Sequence, residues 1–216
     1  MRNGVTEVTG MVLSAKPVGE KDRSVKILTL DQGKLSCFAR GAEKPGSPFM
    51  GTARPFAYGV FGLFQGKDAF TMVSADVRNY FEEITEDVET ACYGMYFLEL
   101  ADYYGREFVR EPRLLKLVYA ALLALKKPAI PHELTRRIFE IKSLVIDGTC
   151  EEEPPLAGSE ICRYTWHYIV ETPIERLFTF TVTEEILQSL GKNTDALMAR
   201  CLDRTFHSLE VLKAMK

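Results

Sequence analysis

The 216-residue sequence predicts an α+β fold, in which a small closed β-barrel precedes a helical domain. Two observations predict it, and a change of charge falls at the same boundary. From Val5 to about residue 75, apolar positions alternate with period two, and Gly, Asp and Gln separate the runs. From residue 85 onward, apolar spacings of three and four take over, as on one face of a helix. Charge changes at the same place: residues 1–80 carry eleven Lys and Arg against seven Asp and Glu, and the remainder carries sixteen against twenty-three.

Each strand has its own signal. Thr9, Met11 and Leu13 alternate with Gly10, Val12 and Ser14, and the polar connection Gly19-Glu20-Lys21-Asp22 follows. In Arg23–Leu30, Val25 and Ile27 alternate with Lys26. Asp31-Gln32-Gly33 is a short hairpin turn with Gly where positive φ is needed, and Lys34–Ala39 returns as a third strand. A loop rich in Gly and Pro runs from Arg40 to Arg54. Phe56, Tyr58, Val60, Gly62 and Phe64 mark a fourth strand, and Gln65-Gly66-Lys67-Asp68 turns the chain into Phe70–Val73. Five strands with no helix among them are most simply an OB-fold barrel; an SH3-like barrel fits the same pattern.

The helical part opens at Thr85 as N-cap, with Glu86, Asp87 and Glu89 in the positive first turn. Val88, Ala91, Cys92, Met95 and Leu98 continue it to a stop at Gly105. A second helix starts near Pro112 and ends before Pro128, and a third runs from Pro131 to Gly148. Residues 149–181 read as irregular, with a short β element around Tyr164–Val170. A short helix then opens at Thr183 and ends at Gly191. The last helix runs from about Asp195, with Met198, Cys201, Leu202, Phe206, Leu209 and Leu212 on one face. These patterns divide the chain into a barrel domain, 1–80, and a helical domain, 81–216.

Composition narrows the function. With 46% hydrophobic and 26% charged residues the chain has ordinary globular composition. The longest apolar run, Leu117–Leu125, falls short of the roughly 20 residues a membrane-spanning helix needs. Met1–Glu7 lacks the apolar region of a secretion signal. Five cysteines (Cys37, Cys92, Cys150, Cys162, Cys201) form no short-range pairs, which suits a reducing compartment, so a cytoplasmic protein is expected. No phosphate-binding glycine loop and no nucleophile elbow occur, and Glu82 and Glu83 read as a solvated helix start. No enzyme and no cofactor are expected. Cys150, Cys162 and His167 are the candidates for a metal, but they lack the two close ligand pairs of a structural zinc site. The plainer reading keeps them as ordinary buried or half-buried residues.

The cations are more informative. Lys16, Lys21, Arg23, Lys34, Arg40, Lys44 and Arg54 lie in or beside the barrel loops, interleaved with Phe38, Phe49, Phe56 and Tyr58. Such charges attract backbone phosphates, and exposed rings stack on bases regardless of sequence. One face of every strand must be core, so most of the rings are expected inside. The loop Arg40–Gly46 is expected to offer cations and glycine amides together to a phosphate. A second basic zone comprises Arg113, Lys116, Lys126, Lys127, Arg136, Arg137 and Lys142 against Glu133 and Glu140. Cations around an apolar groove suit an acidic peptide ending in hydrophobic residues. Alternatively, Arg136 and Arg137 balance Glu133 and Glu140 along one helix.

Several stretches together resemble the bacterial recombination mediator family RecO. They are Met11-Val12-Leu13, Lys34 to Ala42 ending Ala39-Arg40-Gly41-Ala42, Gly51 and Arg54-Pro55-Phe56 in the barrel part. In the helical part they are Tyr96-Phe97-Leu98-Glu99-Leu100, Leu114–Leu125, Arg137-Ile138-Phe139-Glu140 and, more weakly, Arg204–Leu209. The resemblance implies an OB domain and a helical domain that bind single- and double-stranded DNA and anneal complementary strands. It implies that RecR is a partner in loading RecA onto strands coated by single-stranded DNA-binding protein (SSB), in the nucleoid. It also implies that the acidic, Phe-terminated SSB tail docks on the helical domain. Arg137 is the position carried over for that tail; Arg136, Arg113 and Lys116 are added as its basic neighbours. Many family members carry a four-cysteine zinc element after the position of Gly148, and this sequence has no C-x-x-C there. The alternative to a DNA-binding mediator is an adapter that binds SSB or RecR with little DNA binding of its own.

Overall fold

In a computed structural model, which describes residues 4–67, 69–156 and 159–215, the first strand runs Val5–Val18 (β1) and is long enough to pair twice. Its first half, Val5–Met11, lies antiparallel to Tyr58–Gln65 (β4), and its second half, Gly10–Val18, to Asp22–Thr29 (β2). Lys34–Ala39 (β3) continues the sheet beside β2, and Phe70–Asn79 (β5) joins β3 in parallel and β4 antiparallel. The strands close into a barrel of order β1-β2-β3-β5-β4, the five-stranded OB arrangement. Met1–Asn3 and Asp68, read above as part of the chain start and the β4–β5 turn, lie outside the described residues, as do Ala157 and Gly158.

Alternation places the core as expected: Val25, Ile27, Leu35, Cys37, Phe61 and Leu63 point inward and are buried. Removing each such side chain from water is worth about 1.5–3 kcal/mol. β5 extends six residues past Val73 because Ser74, Asp76 and Arg78 alternate on its outer side, where polarity conceals strand character. A short helix, Pro48–Thr52 (α1), capped by the Ser47 hydroxyl, lies between β3 and β4.

The chain divides into two compact units, Met1–Glu82 with Leu98–Leu115, and Glu83–Phe97 with Lys116–Lys216. The barrel strands end at Asn79, and the first unit runs on to Glu82 and also takes in Leu98–Leu115. Within that unit Asp102 receives Lys26 at 2.7 Å and Lys34 at 2.8 Å, and the Lys34 amide donates to the Arg106 carbonyl at 3.0 Å. Gly33 has φ of 66°, and a Cβ there would lie within 2.6 Å of the Arg106 carbonyl oxygen. Only glycine permits both the turn and that approach.

The helices are Val88–Tyr104 (α2), Pro112–Leu125 (α3), His132–Asp147 (α4), Glu160–Glu171 (α5), Ile174–Leu177 (α6), Glu184–Cys201 (α7) and His207–Ala214 (α8). In the second unit Phe97 stacks on Phe139 at 4.4 Å between ring centres, and α4 packs against α5 and α7. Among the described residues no helix is long and apolar enough to cross a membrane.

Four sequence expectations are corrected. The cap of α2 is Asp87, whose carboxylate accepts from the Thr90 amide at 2.8 Å; Thr85 ends a separate 3₁₀ turn, Glu82–Thr85. The element around Tyr164–Val170 is helix, not strand. Its β-branched and aromatic residues favour a strand locally, yet Cys162, Thr165, Trp166 and Ile169 form one buried helical stripe, and the Ser159 hydroxyl caps it. Gly191 does not end a helix: α7 runs through it, and its missing side chain leaves room for the Arg137 guanidinium, which a Cβ would meet at 3.3–3.5 Å. The last helix starts at His207 and not at Asp195; Met198 in α7 and Leu212 in α8 are buried on either side of the break, which preserves an apolar face across it.

Candidate nucleic-acid interface

The β1–β2 turn and the segment after β3 meet at one end of the barrel. The Gly41 amide donates to the Asp22 carboxylate at 2.7 Å, and the Glu43 amide to the Lys21 carbonyl at 3.0 Å. Arg23 fastens the loop from beneath. It donates to both oxygens of Glu43, at 2.6 and 3.3 Å, and to the carbonyls of Met50 and Ala53 at 3.1 and 3.0 Å. The Arg23 hydrogen bond holds the Glu43 carboxyl below its ordinary range. Lys21, Arg40 and Lys44 are left exposed around an open cleft of about 500 Å³, which Glu20 and Asp22 also border.

The structure thus separates the seven barrel cations. Three gather at the cleft, and Lys16 stands exposed on β1 opposite Ser24. The other three are engaged by carboxylates: Arg23 by Glu43, Lys34 by Asp102, and Arg54 by Glu82 at 2.9 Å, with Arg54 also over the Tyr80 ring at 4.7 Å. The expectation for the Gly41 amide is corrected as well, since Asp22 already occupies it.

The rings separate too. Phe56 is buried, and Phe49 packs half-buried on the barrel core. Phe38 is exposed, because β3 points Leu35, Cys37 and Ala39 inward and Ser36 and Phe38 outward. Two rings that the pattern did not single out for stacking join it: Phe70, at the start of β5, and Phe108, 6.4 Å apart between centres. With Ser24, Ser36 and Lys67 they border a second cleft of about 330 Å³. The available signal was the apolar pair Phe108-Val109 within the charged connector 105–111.

The helical cations form a different structure. Arg136 and Arg137 are 8% and 6% exposed. Arg136 donates to Glu140 at 2.8 Å, and Arg137 to Glu140 at 3.0 Å and to Asp195 at 2.5 and 3.1 Å. The hydroxyls of Tyr96 and Tyr93 donate to Glu140 and Glu133 at 2.7 and 2.9 Å. Burial and the charge of Glu140 push the Tyr96 hydroxyl well above its ordinary range. Burial opposes the charge on Arg137, but Glu140 and the hydrogen-bonded Asp195 outweigh it and hold the guanidinium more firmly charged. The pairing of Arg136 and Arg137 with Glu133 and Glu140 is therefore the alternative the structure takes, and neither arginine stands on an open rim. Lys142 is also structural: it donates to the carbonyls of Ile169, Val170 and Thr172 at 2.7–3.2 Å, capping the end of α5. Lys126 pairs with Glu83 at 2.6 Å, exposed Lys116 lies 3.9 Å from Glu175, and in the first unit Arg113 pairs with Glu111 at 2.7 Å.

Residues 1–81 match the family model "Recombination protein O N terminal", and residues 85–150 match "Recombination protein O C terminal". The chain belongs to the RecO family. It is 27% identical to a DNA repair protein RecO from Acetivibrio thermocellus over 242 aligned positions, covering 97% of this chain and 96% of the relative. A DNA repair protein RecO from Clostridium perfringens (strain 13) is 26% identical, with 97% and 98% covered. One from an Exiguobacterium species is 34% identical over 72% of this chain and 61% of its own length.

The three metal candidates of the sequence, Cys150, Cys162 and His167, lie in separate surroundings. Cys162 is buried with its sulfur 3.3 Å from the Ser189 hydroxyl, and His167 faces Glu153 at 3.2 Å. Burial pushes the Cys150 thiol up to about 11. Among the described residues no three His, Cys, Asp or Glu gather as a metal site. All five cysteines carry free thiols.

Proposed function

We propose that this RecO-family chain is a DNA repair protein acting as a non-enzymatic recombination mediator. In this reading the barrel, residues 1–80, binds single- and double-stranded DNA, and the chain anneals complementary strands. The helical part, 81–216, receives the SSB tail, and together with RecR the protein helps load RecA onto SSB-coated strands in the cytoplasm, at the nucleoid. The observation that carries the DNA-binding step is the convergence of Lys21, Arg40 and Lys44 on one cleft, at the loop end where OB-folds take oligonucleotides. Annealing needs no chemical catalyst. Cations that neutralise phosphates on two strands lower their repulsion, and base pairing supplies the rest.

For the SSB tail, the buried state of Arg137 calls for exchange. The Asp195 side chain is 59% exposed, so an incoming peptide carboxylate can replace it on a guanidinium that is already oriented. The deciding experiment is fluorescence anisotropy of a labelled single strand across a salt titration. Substituting Lys21, Arg40 and Lys44 together by Ala should weaken binding and flatten the log–log salt slope by about 2, near 0.7 per lost phosphate contact. An unchanged slope would refute the cleft assignment. The adapter reading has its own support, since Arg23, Lys34 and Arg54 are already matched by carboxylates. It predicts no measurable binding even at low salt.

A further inference from the structure

Phe108 combines three unusual properties. It is 67% exposed, its backbone sits at φ of 60°, and the segment carrying it is tied down. Bulky residues rarely adopt positive φ, because Cβ crowds the backbone, and such strain persists only where neighbours impose it. Here the Lys34 amide holds the Arg106 carbonyl, and Gly33 lets the carbonyls of Arg106 and Val109 pass close over the β2–β3 turn. The strained residue then directs its ring into water instead of the core.

The surroundings indicate what that ring meets. Phe108 and Phe70 border the 330 Å³ cleft with Phe38, on the outer side of β3. Ser36 and Phe38 project to the outer side of β3 at a two-residue interval, roughly 6.6 Å apart, and exposed Arg40 follows directly after the strand ends at Ala39. Arg40 also lines the basic cleft. A chain of alternating phosphates and bases can therefore set charge against Lys21, Arg40 and Lys44 and rings against Phe38, Phe70 and Phe108. Glu107 borders the aromatic cleft as well, accepting from Ser36 at 3.5 Å. A carboxylate there disfavours a phosphate and tolerates the N–H edge of a base.

We infer that Phe108, with Phe38 and Phe70, forms a stacking subsite for unpaired nucleobases and gives the protein its preference for single strands. This rests on the DNA-binding reading of the barrel. Bases paired inside a duplex keep their faces covered, so a duplex engages only the cations.

The test is anisotropy with three labelled probes of equal length: oligothymidine, an abasic oligomer and a duplex. The wild-type protein binds oligothymidine about tenfold more tightly than the abasic strand, as stacking by a single ring provides. Phe108→Ala removes that margin and leaves the abasic affinity, the duplex affinity and the salt slope unchanged. Phe108→Tyr restores it, and Phe108→Leu, similar in bulk without a ring, does not. Equal wild-type affinity for oligothymidine and the abasic strand, or full retention of the margin in Phe108→Leu, overturns the subsite while the phosphate reading stands. Failure of the wild-type protein to bind any probe overturns both.

Discussion

Arg137 grips Asp195 with both terminal nitrogens, Nη1 to Oδ1 at 2.5 Å and Nη2 to Oδ2 at 3.1 Å, joining α4 to α7. The two ends of this fork differ: the Arg137 side chain is 7% exposed and that of Asp195 is 59% exposed. Asp195→Asn weakens the internal competitor while keeping its shape. Calorimetric titration with an acidic, Phe-terminated peptide should show several-fold tighter binding in this variant. Unchanged affinity would remove Arg137 from the tail site.

Arg137→Ala should act first on stability. It leaves Glu140, 1% exposed, with Arg136 as its remaining arginine partner, and it empties the space beside Gly191. Loss of one partner in a buried ionic cluster costs about 3–5 kcal/mol, which a urea titration followed by circular dichroism would read as a lower midpoint. Any loss of peptide binding in that variant has to be separated from this effect, which makes Asp195→Asn the cleaner probe.

Lys142→Ala should loosen α5. Three carbonyls at the end of that helix lose their donor, a cost of about 1–3 kcal/mol. Trp166, the only tryptophan, is fully buried in α5 and donates to the Glu151 carbonyl at 3.2 Å. Its emission should shift to the red at lower urea concentration than in the wild-type protein.

Acid should weaken the first unit through Asp102. Burial raises its carboxyl, but hydrogen bonds from Lys26 and Lys34 outweigh this and set it below the ordinary 3.8. A depressed folded-state value contributes stability that is present above about pH 4 and lost as pH falls through the folded value. Asp102→Asn removes that contribution. Urea midpoints from pH 7 down to 3 should therefore fall less steeply at the acid end in the variant.

Arg23→Lys should test whether this cation binds DNA or holds the loop. Lysine has no fork to reach Glu43 and the carbonyls of Met50 and Ala53 together. Amide hydrogen exchange across Glu43–Ala53 should speed up several-fold while the salt slope for single-strand binding stays the same. A flattened slope would return Arg23 to the phosphate-binding set.

Legibility followed the physics of each signal. Strict alternation around Val25, Ile27, Leu35 and Cys37 made the barrel readable, because one face had to be core. The second half of β5 was hidden by outward Ser74, Asp76 and Arg78, and α5 was hidden by residues whose local preference is extended. Gly191 is a plausible helix stop until the guanidinium across it is known, a contact fifty-four positions away in sequence. Among the cations, loop position groups Lys21, Arg40 and Lys44 with four others, and only Arg40 and Lys44 share the Gly-rich loop. Composition could not distinguish them from Arg23 or Lys34, whose carboxylate partners lie 20 and 68 residues away.

Among the described residues, the parallel seam that closes the barrel comprises two residue pairs, Cys37 with Phe70 and Phe38 with Thr71. So short a ladder is the natural place for the wall to part, and local opening there costs less than anywhere else around the ring of strands. Phe38 and Phe70 sit on that seam. A guest lodged between them would act as a clasp, so occupancy should be felt as slower breathing of the entire barrel and not only as protection of the residues it touches.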